Sequence, residues 1–167
     1  DLFIEYFNQH PEVKLVIAPH VIDENHLVEI IRKLKRPYVR YTRADEKNVR
    51  KADCLIVDCF GLLSSIYRYG EIAYIGGGFG VGIHNTLEAA VYGIPVIFGP
   101  KYQKFQEAVQ LLEAKGAFSV KDYEELKTLL DRMLTDEVFL RESGMNASNY
   151  VTGNAGATDK IMSMINF

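Results

Sequence analysis

Cysteine, long apolar runs and excess positive charge are all scarce in this chain, and each shortage removes a class of protein. Only two cysteines occur in 167 residues. Cys54 and Cys59 sit in or beside an apolar segment with no partner motif, so free buried thiols in a reducing compartment are expected. No apolar run approaches the roughly 20 residues of a transmembrane helix, and no signal-peptide pattern opens the chain. The formal net charge of -3 argues against a general nucleic-acid binder. The longest basic run, RKLKR at 32–36, reads instead as the cationic end of a helix. Metal-ligand clusters, internal repeats and low-complexity runs are also missing. What remains, at 48% hydrophobic and 25% charged, is the composition of a soluble globular domain, and the length predicts one domain with a good core.

Glycine, by contrast, is concentrated. Residues 72–100 read as an apolar strand (72–75), a dense turn holding Gly76, Gly77, Gly78, Gly80 and Gly82, a helix over 84–92, and a second apolar strand (95–98) closed by Gly99-Pro100. That order is a parallel βαβ unit, whose ligands bind at the carboxyl ends of the strands. Glycine admits positive φ and lets backbone N–H groups approach a ligand; a following helix N-terminus adds partial positive charge, which suits phosphate. Leu87, Ala90 and Val91 have the spacing of a core-facing stripe. Asn85 and Glu88 share another face, where a carboxylate could accept from sugar hydroxyls and an amide could both donate and accept. Helix capping by Asn85 and dipole compensation by Glu88 is the alternative. Neither standard phosphate fingerprint fits: G-x-G-x-x-G would need glycine at Val81, Ile83 or Asn85, and no Gly-Lys-Ser/Thr follows.

Ahead of this unit, an opening helix (Leu2, Phe3, Tyr6, Phe7) leads to a strand at 13–18 that stops at Pro19-His20. A helix at 23–35 follows, with Leu27, Ile30, Ile31 and Leu34 inward. His20 therefore falls in a strand-to-helix turn and is a candidate ligand contact; His10 and His26 receive no role. A strand at 38–42 carries Arg40 outward, residues 43–51 form a loop, and a buried strand at 54–59 runs into Phe60-Gly61-Leu62 and a helix at 63–69. Asp58 is expected to cap that helix. Beyond Pro100, Lys101 and Lys104 are candidate cations for a phosphate or acidic sugar. A helix at 103–115 (Phe105, Ala108, Val109 and Leu112 inward), a strand at 117–120, and helices at 122–134, 137–151 and from 158 complete the chain. The expected fold is α/β: a Rossmann-like parallel sheet of about six strands with helices on both faces. Three turns carry candidate ligand residues on one edge.

These residues resemble the donor-binding motif of the 3-deoxy-D-manno-octulosonic acid (Kdo) transferases. The likeness runs through Gly76-Gly77, the stretch Ile83-His84-Asn85-Thr86-Leu87-Glu88, and Gly99-Pro100, with Ala18-Pro19-His20 and the VDCFG segment at 57–61 upstream. It implies the C-terminal, nucleotide-sugar half of a GT-B type glycosyltransferase, one domain over 1–167 of a longer two-domain enzyme. The implied donor is CMP-Kdo, a substrate rather than a cofactor, and no metal is expected. CMP contacts would fall on Pro19, His20, Phe60, Gly61, Leu62, Asn85, Thr86, Leu87 and Glu88. Gly77 and Gly78 join them on the glycine loop, and Gly80, Gly82, His84, Lys101 and Lys104 are further candidate contacts for phosphate or Kdo. No catalytic residue is expected in this chain: the family's general base, its lipid A precursor acceptor and its membrane association belong to the N-terminal half. The resemblance also implies a place in lipopolysaccharide biosynthesis at the cytoplasmic face of the bacterial inner membrane, with this domain itself soluble. The sequence departs from the family in lacking an arginine between Pro19 and His20, and in having Phe60-Gly61-Leu62 for Met-Gly-Glu. The readings left open are a UDP-sugar-dependent GT-B transferase or epimerase domain, and a non-catalytic nucleotide- or sugar-binding module.

Overall fold

The computed structural model describes residues 2–80 and 82–154. The chain forms two compact units, residues 1–66 and residues 67–167. Among the described residues six parallel strands are present, but they are divided into two three-stranded sheets, where the apolar runs predicted one sheet of about six. Among the described residues each unit has one central strand with a partner on both sides.

The first unit runs α1 (Leu2–Gln9), β1 (Leu15–Ile17), α2 (Glu24–Lys33), β2 (Tyr38–Arg40), a 3-10 turn (Tyr41–Arg43), α3 (Glu46–Val49), β3 (Cys54–Ile56) and α4 (Leu63–Ile66). Strand β3 lies between β1 and β2, in register Ile17 to Ile56 and Arg40 to Ile56. Helix α2 starts where expected: Asp23 accepts the His26 N–H at 3.0 Å, satisfying one of the helix's orphan donors. Its apolar stripe closes on the sheet, so that Leu27, Ile30, Ile4, Phe7, Leu15, Cys54 and Ile56 form one core. Burial lifts the Cys54 thiol to about 12, which leaves it inert.

Two expectations fail here. Residues 43–51 are not plain loop: Asp45 and Asn48 make reciprocal capping bonds around the single turn α3. The basic run does not simply compensate a dipole. Arg36 leaves the helix and turns its guanidinium onto the carbonyls of Phe7, His10 and Val13 at 2.8, 2.8 and 3.0 Å, and of Pro11 at 2.9 Å. It also lies 4.1 Å above the Phe7 ring and 3.3 Å from Asp53. The planar fork with five donors makes this possible where lysine could not.

The second unit contains a 3-10 turn (Tyr67–Tyr69), β4 (Ala73–Tyr74), α5 (Leu87–Ala90), β5 (Val96–Phe98), α6 (Gln106–Glu113), β6 (Ala117–Ser119), α7 (Tyr123–Thr135) and α8 (Glu137–Asn154). Strand β5 is central, hydrogen-bonded to β4 and β6, and its three side chains are wholly inaccessible. Each such side chain contributes about 1.5–3 kcal/mol of transfer free energy. Ala108 and Leu111 of α6, Ala89 and Ala90 of α5 and Ala147 of α8 close the core around it. Helix α6 is shorter than the expected 103–115, and Leu111 is inaccessible where Val109 was expected inward. Helix α7 is capped by Asp122, which accepts the Glu125 N–H at 2.9 Å, and it buries Leu126, Leu130 and Met133. Small residues bring backbones together: a Cβ on Gly144 would lie 2.1 Å from the Gly93 oxygen. The last expected helix, from residue 158, lies outside the described residues.

Candidate functional site

In the first unit the two candidate turns leave neighbouring parallel strands. Val57 N–H donates to the Ile17 oxygen at 2.8 Å, carrying the ladder one step past the strand ends. Pro19-His20 and Phe60-Gly61-Leu62 therefore start from the same carboxyl edge of this sheet, side by side, as the βαβ pattern predicts. Pro19 is half-buried and His20 exposed. Phe60 is 82% exposed, and Gly61 has a φ of +87°. An exposed aromatic beside a left-handed glycine gives a flat apolar surface at the tip of the turn.

Asp58 does not cap a helix. Its side chain is fully inaccessible and meets Arg40 Nε at 2.7 Å, while the Thr42 N–H and hydroxyl donate to it at 2.9 and 2.6 Å. Burial pushes the carboxyl up, but the Thr42 and Arg40 hydrogen bonds outweigh it and hold Asp58 down at about 2. Arg40, expected to point outward, also donates to both Glu24 oxygens at 2.7 and 3.0 Å. Its own pKa is raised, chiefly by the Glu24 bond and then by Asp58. The cluster ties the end of β2 to the start of α2 and to the segment just before Phe60. Strand β2 ends at Arg40 because Tyr41–Arg43 tightens into a 3-10 turn.

The glycine loop of the second unit closes on itself and on β5. Gly77 forms an antiparallel bridge with Ile83, Gly78 N–H donates to the Gly82 oxygen at 2.6 Å, and His84 N–H donates to Gly76 at 3.3 Å. At Gly78, φ is +78° and a Cβ would lie 2.7 Å from the Gly99 Cα, so only glycine fits this crossing. Lys101 N–H fastens the same point by donating to the Gly78 oxygen at 2.9 Å. Phe105 packs against the other limb, where a Cβ on Gly82 would meet its ring at 2.7 Å. Gly80 faces open space.

The expected helix at 84–92 is a correction. Ile83 and His84 are extended because they pair with Gly77 and Gly76, so helix α5 begins only at Leu87 and is one turn long. A single turn aligns few peptide dipoles, and the proposed help from a helix dipole is accordingly small. The inward stripe shifts with it: Ala89 and Ala90 are inaccessible, Leu87 packs against the core, and Val91 is 54% exposed in the turn that follows.

Asn85 and Glu88 come together as expected, and they are joined to each other. Asn85 Oδ1 accepts the Leu87 N–H at 3.0 Å, and its Nδ2 donates to Glu88 Oε1 at 3.1 Å. The capping role and a shared polar face thus coexist. Thr86 is 4% exposed, too enclosed for broad ligand contact through its side chain. Residues 83–87 together with Phe105 and Glu107 line a concave pocket of about 350 Å³. Lys104 is exposed next to it in sequence. Tyr67 and Glu107 were not singled out from the sequence, and Phe105 was expected only in the inward stripe of a helix over 103–115. Tyr67 is held above its ordinary pKa by burial and then by the Glu88 charge. Only the fold assembles these three, since they sit 21 residues before and 17 and 19 after Glu88. Among the described residues no group of three or more His, Cys, Asp or Glu is placed to hold a metal.

No family model matches the chain. It is 36% identical over 135 residues to the 3-deoxy-D-manno-octulosonic acid transferase of Aquifex aeolicus, covering 80% of this chain and 37% of that protein. It is 33% identical over 116 residues to the same-named protein of Rickettsia bellii, covering 68% of this chain and 28% of the other. The chain thus spans about a third of the length of the curated relatives it matches. The crystal structure of the C-terminal CMP-Kdo binding domain of WaaA from Acinetobacter baumannii superposes with a TM-score of 0.76 at 19% identity, over 90% of this chain and 79% of that one. Parallel strands alternating with helices, together with that superposition, define an α/β domain with the fold of that solved domain. The chain belongs to the 3-deoxy-D-manno-octulosonic acid transferase family.

Proposed function

We propose that this chain is the donor-binding domain of a glycosyltransferase that moves Kdo from CMP-Kdo to a lipid A precursor in lipopolysaccharide biosynthesis. One observation carries the reading: the hydrogen-bonded Asn85–Glu88 pair stands directly after a glycine loop at the carboxyl ends of two parallel strands. Glu88 keeps an oxygen for a ribose hydroxyl, and Asn85 keeps an amide hydrogen for a phosphate oxygen. Gly78 and His84 N–H groups are committed to the loop itself, so phosphate contact falls to the exposed Phe79-Gly80 backbone and to Lys101 and Lys104. These groups would stabilise the charge that develops on CMP as it leaves the anomeric carbon, an electrostatic role that requires donors fixed in advance. The paired turns Pro19-His20 and Phe60-Gly61-Leu62 of the first unit are a second place to test for CMP contact. No cofactor or metal enters this reading, and CMP-Kdo is consumed as substrate. The general base, the lipid acceptor and association with the cytoplasmic face of the inner membrane are assigned to an N-terminal half of the whole protein, and this chain alone is expected to be inactive.

Calorimetry with CMP, UMP, UDP and NAD tests the proposal. CMP is expected to bind in preference to the other three, and Glu88→Ala to weaken CMP about tenfold with an unchanged melting temperature. Preference for UDP would move the chain to another GT-B activity. Unfolding by Glu88→Ala with no separate effect on binding would make the residue structural.

A further inference from the structure

The glycine loop is held from outside, by the connection between β5 and α6. Its own closure is backbone alone: the Gly77–Ile83 bridge and the Gly78 N–H donating to the Gly82 oxygen. Glycine loses more conformational freedom on folding than any other residue, so a run of glycines needs fixed neighbours to keep one shape. Residues 99–105 supply such neighbours to both limbs. On the first limb, the Gly78 oxygen accepts the Lys101 N–H at 2.9 Å, and the Phe79 ring covers Gly99, where a Cβ would meet it at 2.8 Å. On the second limb, the Phe105 ring covers Gly82: a Cβ there would lie 2.7 Å from Cζ and 3.1 Å from Cε2. The connection is itself fixed. Phe105 N–H donates to the Tyr102 oxygen at 2.8 Å, and Gln103 Nε2 donates to the Pro100 oxygen at 2.9 Å. Phe105 also packs against the core of the unit, so its ring is backed by buried side chains.

Gly82 differs from its neighbours in one respect. Gly77 and Gly78 have φ of +94° and +78°, a conformation that by itself favours glycine. Gly82 is not in that conformation, so its backbone would accept a side chain and the ring is what excludes one. We infer that Phe105 is a positioning residue for the donor site: its ring, seated on Gly82, fixes the second limb of the loop and the extended Ile83-His84 stretch that leads to Asn85 and Glu88. A loop already in its bound shape spares the ligand the entropy of ordering it, which raises affinity without any new contact. The inference rests on the donor-domain reading and adds to it a residue that acts through the loop.

Phe105→Leu removes the Cε and Cζ atoms that meet Gly82 and keeps an apolar side chain for the core. Gly82→Ala places a methyl where the ring stands. In the double variant the methyl fills space that the ring has left, so the two changes should offset each other. The test measures CMP affinity by calorimetry and hydrogen exchange at the Gly78 and His84 amides, which close the loop, with melting temperature followed in parallel on the 167-residue chain. Each single variant is expected to weaken CMP about fivefold and to speed exchange of both amides about tenfold. The double variant should return to within about twofold of wild type on both readouts, a coupling that independent residues do not show. A lower melting temperature with CMP affinity and exchange unchanged makes Phe105 a core residue only and overturns the inference. A double variant whose losses multiply overturns it as well. A wild-type chain that binds no CMP overturns the donor-domain reading and the affinity role with it, while unchanged exchange in Phe105→Leu overturns the loop contact by itself.

Discussion

The two units build similar parallel edges from different materials. Residues 2–66 hold theirs with charge: Asp58 gathers Arg40 and Thr42, Arg40 reaches on to Glu24, and Arg36 gathers carbonyls at the end of α1. Residues 67–154 hold theirs by close approach, with Gly78 crossing Gly99 and Gly144 lying against Gly93. Charged fasteners tolerate some movement but respond to pH. Backbone crossings ignore pH and tolerate no added atom. Each unit should therefore fail to a different challenge.

The largest effect is expected in the second unit. Gly144→Ala places a Cβ 2.1 Å from a backbone oxygen that cannot swing away, so α8 must move off its neighbours. A loss of about 3 kcal/mol in urea unfolding is expected, at the upper end of overpacking costs. A loss below about 1 kcal/mol would mean that this contact is not tight, and the contrast between the units would fail.

A smaller, pH-dependent effect belongs to the first unit. Asp58→Asn keeps the shape but removes the charge facing Arg40, and a loss of roughly 2 kcal/mol at neutral pH follows from a carboxyl held at about 2 instead of its ordinary value, at about 1.4 kcal/mol per unit. Because the folded carboxyl lies at about 2, below its ordinary value, its contribution is complete above pH about 4 and fades as pH falls toward 2. Wild type and Asp58→Asn should therefore converge in stability across that acid range. Parallel curves would show that the charge contributes nothing.

The smallest effect sharpens the comparison from within the loop. Gly80 neither crosses a backbone nor takes a positive φ, and a Cβ there meets nothing within 4 Å. Gly80→Ala should change stability by less than about 0.5 kcal/mol, in contrast to its neighbours Gly77 and Gly78. A fall in CMP affinity at unchanged stability would mark Gly80 as a ligand contact.

Much of this was legible in the order of residues. The six strands, the turns that follow them, and the Asn85–Glu88 pairing come from local rules, because alternation, spacing and turn chemistry act over a few residues. Helix starts at Asp23 and Asp122 were readable for the same reason. The failures share one cause. Residues 84–92 have good helical spacing, yet the bridge from Gly77 to Ile83 keeps the first of them extended. Arg40, Arg36 and Asp58 look like surface charge and a helix cap in sequence, and each is claimed by partners between 16 and 29 residues away.

The sequence alone determined an α/β chain with a glycine loop and a polar pair at strand ends, because those features need only near neighbours. Tertiary structure decided the rest: that the strands divide into two sheets of three, that α5 is a single turn, that glycines at 78 and 99 must cross, and that Phe105 and Glu107 close a pocket with residues 83–87. Hydrogen-bond partners and shared cavities depend on which distant segments meet in space, and local pattern carries no record of that.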